Sequence, residues 1–294
     1  MNVVKNKYLF IGFSTILLVL AVTSMVLFGF KQGIDFVGGA LWQLKFQSAP
    51  DSLDSLNEFF SGQNLDAKIR QGITAQDFSV RMKEITEVQH QELSQSLKSE
   101  FGEFEELSFS SIGPAIGAEL RNKAFFAFLL VIIGISLYIA FAFRKVSYPV
   151  SSWKYGLITL ITLFHDAIIP AGLFAFWGRQ YGLEVDTNFI VAILVIMGFS
   201  VHDTIVVFDR IRENLLHAKR KDDFSEIVNV SVNQTFARSL NTSMTLFIVL
   251  IALYLFGAHS LSYFNLLILV GTIIGTYSSI FVASPLLTFF NPGK

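Results

Sequence analysis

Six stretches of this chain are apolar enough to cross a lipid bilayer: Tyr8–Phe30, Ala124–Phe143, Tyr155–Trp177, Thr187–Phe208, Leu240–Phe256 and Leu261–Leu287. A spanning helix needs roughly 20 such residues. Because hydrocarbon offers no partner for an open backbone N–H or C=O, each stretch is predicted to be a helix. Composition agrees: of 294 residues, 52% are hydrophobic and only 15% charged, where a soluble domain carries about a quarter. The first run follows Lys5 and Lys7 and exceeds the apolar core of a signal peptide, so it is expected to remain as an uncleaved anchor.

Lysine and arginine in the short connections set the expected orientation, since cytoplasmic loops retain positive charge. Lys5 and Lys7 place the N-terminus inside. Arg144, Lys145 and Lys154 fall in one loop on the same side, and Arg210, Arg212, Lys219, Arg220, Lys221 and Arg238 in another, while the opposite short loops offer only Arg179. Six spans with both termini in the cytoplasm satisfy every connection.

That orientation makes residues 31–123 extracytoplasmic, and their pattern is that of a soluble domain. Leu41–Gln47 alternates as a strand, Asp51–Ser61 reads as a short amphipathic helix, and Ala67–Gln71 and Phe78–Glu84 as strands. Val88–Phe101 then reads as a helix and Phe104–Phe109 as a strand. The order βαββαβ is the ferredoxin-like split motif. The expected architecture is therefore a membrane all-α bundle of six helices with an α+β ferredoxin-like domain between helices 1 and 2. Its parts are an anchor over 1–30, the outer domain over 31–123, and helices 2–6 over 124–294. With no cysteine in the chain, neither disulfides nor thiolate metal sites hold the domain together, and packing alone must do so.

Two glycine-bearing segments bracket the domain. Gly33-Ile34-Asp35-Phe36-Val37-Gly38-Gly39 follows the first span, where glycines let the chain turn sharply on leaving the bilayer. Ser111-Ile112-Gly113-Pro114-Ala115-Ile116-Gly117-Ala118-Glu119 precedes the second, with Pro114 suited to a helix start and Glu119 to its first turns. This second segment is expected to re-enter as an interfacial helix. Together they are the domain's two attachments, placed to transmit a rigid-body movement.

The strongest chemical signal is Asp203 in the fourth span, roughly 7 Å past its middle at 1.5 Å per residue, too deep for a short carboxylate to reach headgroups. Burying that charge costs at least about 2.5 kcal/mol. Low dielectric raises a carboxyl pKa toward the range of physiological proton exchange, so Asp203 is a candidate proton carrier, with Ser200 and Thr204 on its face. The alternative is a neutral Asp203 that merely hydrogen-bonds between helices. In the fifth span Gln234, Arg238, Asn241, Thr242 and Thr245 share one helical face. Arg238 there either gates Asp203 by approaching it, since a nearby cation lowers a carboxyl pKa by about 1–3 units, or marks the boundary by snorkelling. His165-Asp166 in the third span supplies a second buried carboxylate and a ring able to relay protons, or else a structural interhelical bond. The Gly271-x-x-x-Gly275 pair permits close helix approach, with internal packing as its expected use.

No His-x-x-x-His or comparable spacing accompanies the two His-Asp pairs, so no metal is expected. The absence of Gly-x-x-x-x-Gly-Lys-Ser/Thr rules out the role of a P-loop ATP hydrolase.

Taken as a set, Gly-Ile-Asp-Phe-x-Gly-Gly at 33–39, Ser-Ile-Gly-Pro-x-x-Gly at 111–117, His165-Asp166, Asp203-Thr204 through Arg210-Ile211-Arg212-Glu213-Asn214, and Gln234-Thr235-x-x-Arg238-Ser239 resemble the SecD/SecF family of the RND superfamily, over the whole chain. The resemblance implies a non-enzymatic six-span subunit of the bacterial inner membrane that pairs with SecD and associates with the SecYEG channel. It implies use of the proton gradient to help draw unfolded exported chains across, with protons as the coupling ion, no other cofactor and no nucleic acid. By resemblance the family's proton-coupling aspartate falls on Asp203, its membrane arginine on Arg238 and its glycine-rich motif on 33–39, while Asp166 lies in a further family motif. His202 stands where the family pattern has asparagine and adds a second titratable group. Two other readings compete. An intramembrane aspartyl protease would use Asp166 and Asp203 but lacks a Gly-x-Gly-Asp signature. A small-molecule exporter of the RND kind needs about twice these spans, so this chain would be half of one.

Overall fold

The computed structural model describes residues 1–48, 50, 52–72, 74–143, 150–218 and 223–290. The loop cations Arg144, Lys145, Lys219, Arg220 and Lys221, on which much of the orientation argument rests, lie outside the described residues. The chain divides into two compact units. One comprises Met1–Gly29, Ala127–Phe176 and Phe189–Lys294, the other Phe30–Phe126 and Trp177–Asn188.

Six helices among the described residues are long and apolar enough to span a membrane. They are α1 (Lys7–Phe28), α5 (Pro114–Ala142), α6 (Ser152–Tyr181), α7 (Thr187–His217), α8 (Phe224–Phe256) and a last one over Ser262–Phe290. The chain is thus a multi-pass helical membrane protein. The last span is interrupted: α9 (Ser262–Ser278) passes into a π-helical turn (Ser279–Ala283) and then α10 (Ser284–Leu287). α6 and the last span are the most buried, followed by α7, and α1, α5 and α8 present mostly exposed apolar faces.

Two boundaries differ from expectation. Residues from Pro114 onward do not form a separate interfacial helix: Pro114 starts α5, which runs unbroken to Ala142. Proline needs no N–H partner in a first turn, and nothing between Ala115 and Ala142 interrupts the ladder. α8 likewise begins at Phe224 rather than Leu240, because Asp223 caps it by accepting from Ser225 N at 3.2 Å. This polar extension carries Asn229 and Asn233, which hold Val3 N at 2.8 Å and the Met1 ammonium at 2.9 Å.

In the second unit, a four-residue helix α2 (Ile34–Val37) leads into β1 (Gly39–Phe46), α3 (Leu53–Gly62), β2 (Lys68–Gln71), β3 (Asp77–Met82), α4 (Glu87–Phe101) and β4 (Phe104–Ile112). The strands form one antiparallel sheet in the order β2-β3-β1-β4. Period-two alternation decides its buried face: Ala40, Trp42, Leu44 and Phe46 of β1 and Phe78, Val80 and Met82 of β3 point inward, against Leu56, Phe59 and Phe60 of α3 and Leu93 and Leu97 of α4. Trp42 satisfies its indole N–H on Glu106 Oε2 at 2.8 Å, an oxygen shared with His90 at 2.9 Å. α4 opens with a capping box in which Thr86 accepts from Gln89 N and Gln89 Oε1 accepts from Thr86 N at 2.9 Å. Thr86→Ala is expected to cost about 1 kcal/mol of helix stability, seen as roughly fivefold faster hydrogen exchange over the first turn of α4 with β1 unchanged.

Candidate functional site

The first unit gathers its polar groups where α7 meets α9. On α7, Ile196, Ser200, Asp203 and Val207 recur at i, i+4, i+7 and i+11, and all are buried. α9 answers with Gly271 and Gly275. A Cβ on Gly271 would run into Ile196, and one on Gly275 would come within 3.4 Å of the Ser200 Cβ. The small-residue pair is therefore spent inside the chain, and it lets the two backbones approach.

That approach matters because α9 closes on Ser278 and the π-helical turn opens on the adjacent Ser279. In a regular α-helix neighbouring residues point about 100° apart. Here the π-helical turn begins at Ser279, with Ser284 Oγ reaching back to the Ser279 carbonyl at 2.9 Å. Both hydroxyls find carboxylates: Ser278 donates to Asp166 Oδ2 at 2.5 Å and Ser279 to Asp203 Oδ2 at 2.6 Å. One short segment thus touches both buried acids. π-turns within α-helices occur disproportionately at functional sites.

Asp166 is fully buried and the more heavily bonded acid. Its Oδ2 also accepts from Ser200 at 2.5 Å, and its Oδ1 meets His165 Nδ1 at 2.7 Å. With Nδ1–H donating to the carboxylate, His165 Nε2 is left to accept, and Ser14 Oγ of α1 lies 2.5 Å away to donate. The result is a buried chain running from α1 through α6 to α7 and α9: Ser14, His165, Asp166, then Ser200 and Ser278. Pro170 within α6 has no N–H for the Asp166 carbonyl one turn earlier, which loosens the ladder at this point.

Asp203 is 6% exposed and receives Ser279. Ser200, expected beside it, bonds Asp166 instead. The Thr204 hydroxyl is buried with no hydrogen-bond partner among the described residues. His202 points away on the exposed face of α7.

The structure does not bring Arg238 to either acid. Arg238, Asn241, Thr242 and Thr245 lie on the exposed face of α8, while Ser231, Thr235, Ser239 and Ser243 form its buried row. Spacing by four puts these small side chains against a neighbour, and Ser243 meets Thr276 of α9 at 2.5 Å. Gln234 sits at the exposed end, accepting from Arg210 Nε at 2.7 Å and Asn214 Nδ2 at 2.9 Å. Arg210 also pairs with Glu213 and Arg212 with Asp209 at the same end of α7.

The two attachments meet within the second unit. Gly38 and Gly39 have φ of +80° and +120°. A Cβ on Gly38 would stand 2.9 Å from Pro114 N and Cα, and one on Gly117 would stand 3.0 Å from Gly38 N. The glycines of each segment thus make room for the backbone of the other. Phe36 is buried, and Gly113 fits under the Glu84 carboxylate. Glu119 is exposed and pairs with Lys123 one turn on. The α6–α7 connection joins the same knot, with Gly33 N donating to Val185 O at 2.8 Å and Val185 N to Lys31 O at 2.7 Å. Asp35 Oδ2 accepts from Thr187 N at 2.8 Å, capping α7, the helix that carries Asp203.

Among the described residues no group of three or more metal-ligating acids and histidines occurs.

Comparison with known proteins gives a single answer. Residues 92–292 match the family model "Protein export membrane protein SecD/SecF, C-terminal", and residues 23–50 match "SecD/SecF GG Motif". The chain is 43% identical over 298 residues to the protein translocase subunit SecF of Thermobaculum terrenum, covering 97% of this chain and 92% of that one. It is 36% identical to the SecF of Sebaldella termitidis, covering 97% and 90%. Among solved structures it resembles SecDF of Thermus thermophilus, described as a translocon-associated membrane protein, with TM-score 0.83 and 33% identity over 98% of this chain. A SecDF in super-membrane-facing form matches at TM-score 0.66 with the same identity and coverage. The chain spans 38% of the length of either solved SecDF chain.

Proposed function

The chain belongs to the SecD/SecF family of protein-export membrane proteins, and from that premise we propose that it is a Sec protein-translocation subunit that couples proton movement through the membrane to movement of its folded domain. Its partner is SecD, which would supply the second half that a chain spanning 38% of SecDF lacks. SecYEG and the unfolded exported polypeptide complete the assembly in the inner membrane, with both termini cytoplasmic and residues 31–123 outside. The sheet order β2-β3-β1-β4 with its two helices supports a ferredoxin-like reading of that domain.

The observation that carries the proposal is the pair of buried carboxylates, Asp166 and Asp203, held by adjacent serines where α9 passes into the π-helical turn. Asp203 exchanges the proton. It has one hydroxyl donor, where Asp166 has two plus an imidazole, so its protonation breaks less of the network. The exposed polar face of α8 with Arg238 is where the partner half would pack, since an unpaired arginine facing lipid is costly. Arg238 then acts on the acids only in the assembled complex. Movement passes along α7, whose first residue is capped by Asp35 and whose seventeenth is Asp203, about 24 Å away at 1.5 Å per residue.

The test is reconstitution with SecD and SecYEG in vesicles, comparing translocation with and without a proton gradient. Asp203→Asn is expected to translocate at the gradient-independent rate under both conditions. An undiminished response to the gradient in that variant would overturn the assignment.

A further inference from the structure

One group of basic side chains takes no part in this scheme. Lys31 follows the end of α1 by three residues, and Arg179 lies in the last turn of α6. Arg70 comes from β2, and its guanidinium lies against Gly182, where the chain at φ +74° has no side chain to obstruct it. All three belong to the same compact unit and all are exposed. The Lys31 ammonium is held below its ordinary pKa, first by partial burial and then by the charges of Arg70 and Arg179. Glu184 is the acid that acts on it in the other direction, and Glu184 is already committed to Arg81. Among the described residues, no carboxylate lies within ion-pair distance of Lys31, Arg70 or Arg179.

Three segments distant in sequence thus deliver like charges to one spot. Such an arrangement favours an anion between them. In the chain Lys31 follows Phe30 directly, and Arg179 lies between Trp177 and Tyr181 at the end of α6, with Phe30 40% and Tyr181 53% exposed. Aromatic side chains at this level mark the boundary between acyl chains and headgroups. Two guanidinium forks match phosphate oxygens in number and geometry.

We propose that Lys31, Arg70 and Arg179 bind the phosphate of an anionic lipid headgroup at the membrane surface on the side of the folded domain. The site anchors the α6–α7 connection and β2 to the bilayer at one point. Electrostatic attraction to anionic lipid is worth about a fivefold gain in affinity per basic residue near the surface.

The full chain in neutral detergent, titrated with phosphatidylglycerol or phosphatidylcholine and read by native mass spectrometry, tests this. The native chain is expected to retain phosphatidylglycerol at least tenfold more tightly than phosphatidylcholine. Lys31→Gln, Arg70→Gln and Arg179→Gln should each weaken retention about fivefold, and the triple variant should show no preference. The same charge change at Lys45, Lys83 and Lys98 should leave the preference intact. Equal retention by native chain and single variants would overturn the proposal. So would a loss of preference in the Lys45, Lys83, Lys98 variant, or displacement of the lipid by millimolar inorganic phosphate, which would make free phosphate the ligand.

Discussion

Asp166→Ala is expected to abolish recovery of folded chain, or to lower its thermal midpoint further than any other single change to the buried network. The substitution leaves His165 Nδ1, Ser200 Oγ and Ser278 Oγ without their shared acceptor, in a place that water does not reach. A buried donor left unmade costs about 1–3 kcal/mol, and three lose their acceptor at once, against a total stability of roughly 5–15 kcal/mol. Asp166→Asn keeps the shape and one acceptor oxygen and should lose much less. Asp203→Ala removes one acceptor from the Ser279 hydroxyl, which keeps the Thr276 carbonyl at 3.0 Å, for about 1 kcal/mol. Thermal unfolding in detergent of the three variants ranks them. Equal losses at positions 166 and 203 would contradict the hydrogen-bond chain.

Gly38→Ala is the second large effect. At φ +80° and ψ 170° the residue occupies backbone space that is essentially glycine's alone, costing another residue about 1–3 kcal/mol. The added Cβ would also press on Pro114 N and Cα at 2.9 Å, backbone atoms of a proline-fixed first turn that cannot swing aside. The expected result is an opened junction. Hydrogen exchange should rise at 36–39 and 112–117 while Trp42 and its strand stay protected, and the response of translocation to the proton gradient should fall. Gly102→Ala is the control: its φ is +84° but nothing lies within 4 Å of the new Cβ, so strain alone remains.

Much of the architecture was legible because it rests on periods. Six apolar runs became six long helices, and the alternation over Leu41–Gln47 fell on β1, Gly39–Phe46. Features set by tertiary contact were not. The five polar residues from Gln234 to Thr245 formed the conspicuous stripe of α8, yet the serines and threonine at 231, 235, 239 and 243 make the buried row. Hydropathy ranks arginine and asparagine as the stronger signal, whereas close packing selects for size. Ser200 and Asp203 lie on one face of α7, but spacing within a helix says nothing of which acid on another helix a hydroxyl will meet. The π-helical turn left only a faint trace, the pair Ser278-Ser279 in an apolar span with Ser284-Pro285 just beyond. Pro170, four residues after Asp166, was the plainest unused clue that α6 is locally weakened beside its acid.

Ser278 and Ser279 are consecutive on one backbone, so neither can be repositioned alone. Ser278 closes the regular helix and Ser279 opens the wide turn, so a rotation of the chain at this junction carries both hydroxyls and draws a donor from each acid. The two carboxyl groups are in this sense latched by one catch, and an event that releases Asp203 is felt at Asp166 without any signal having to travel between them.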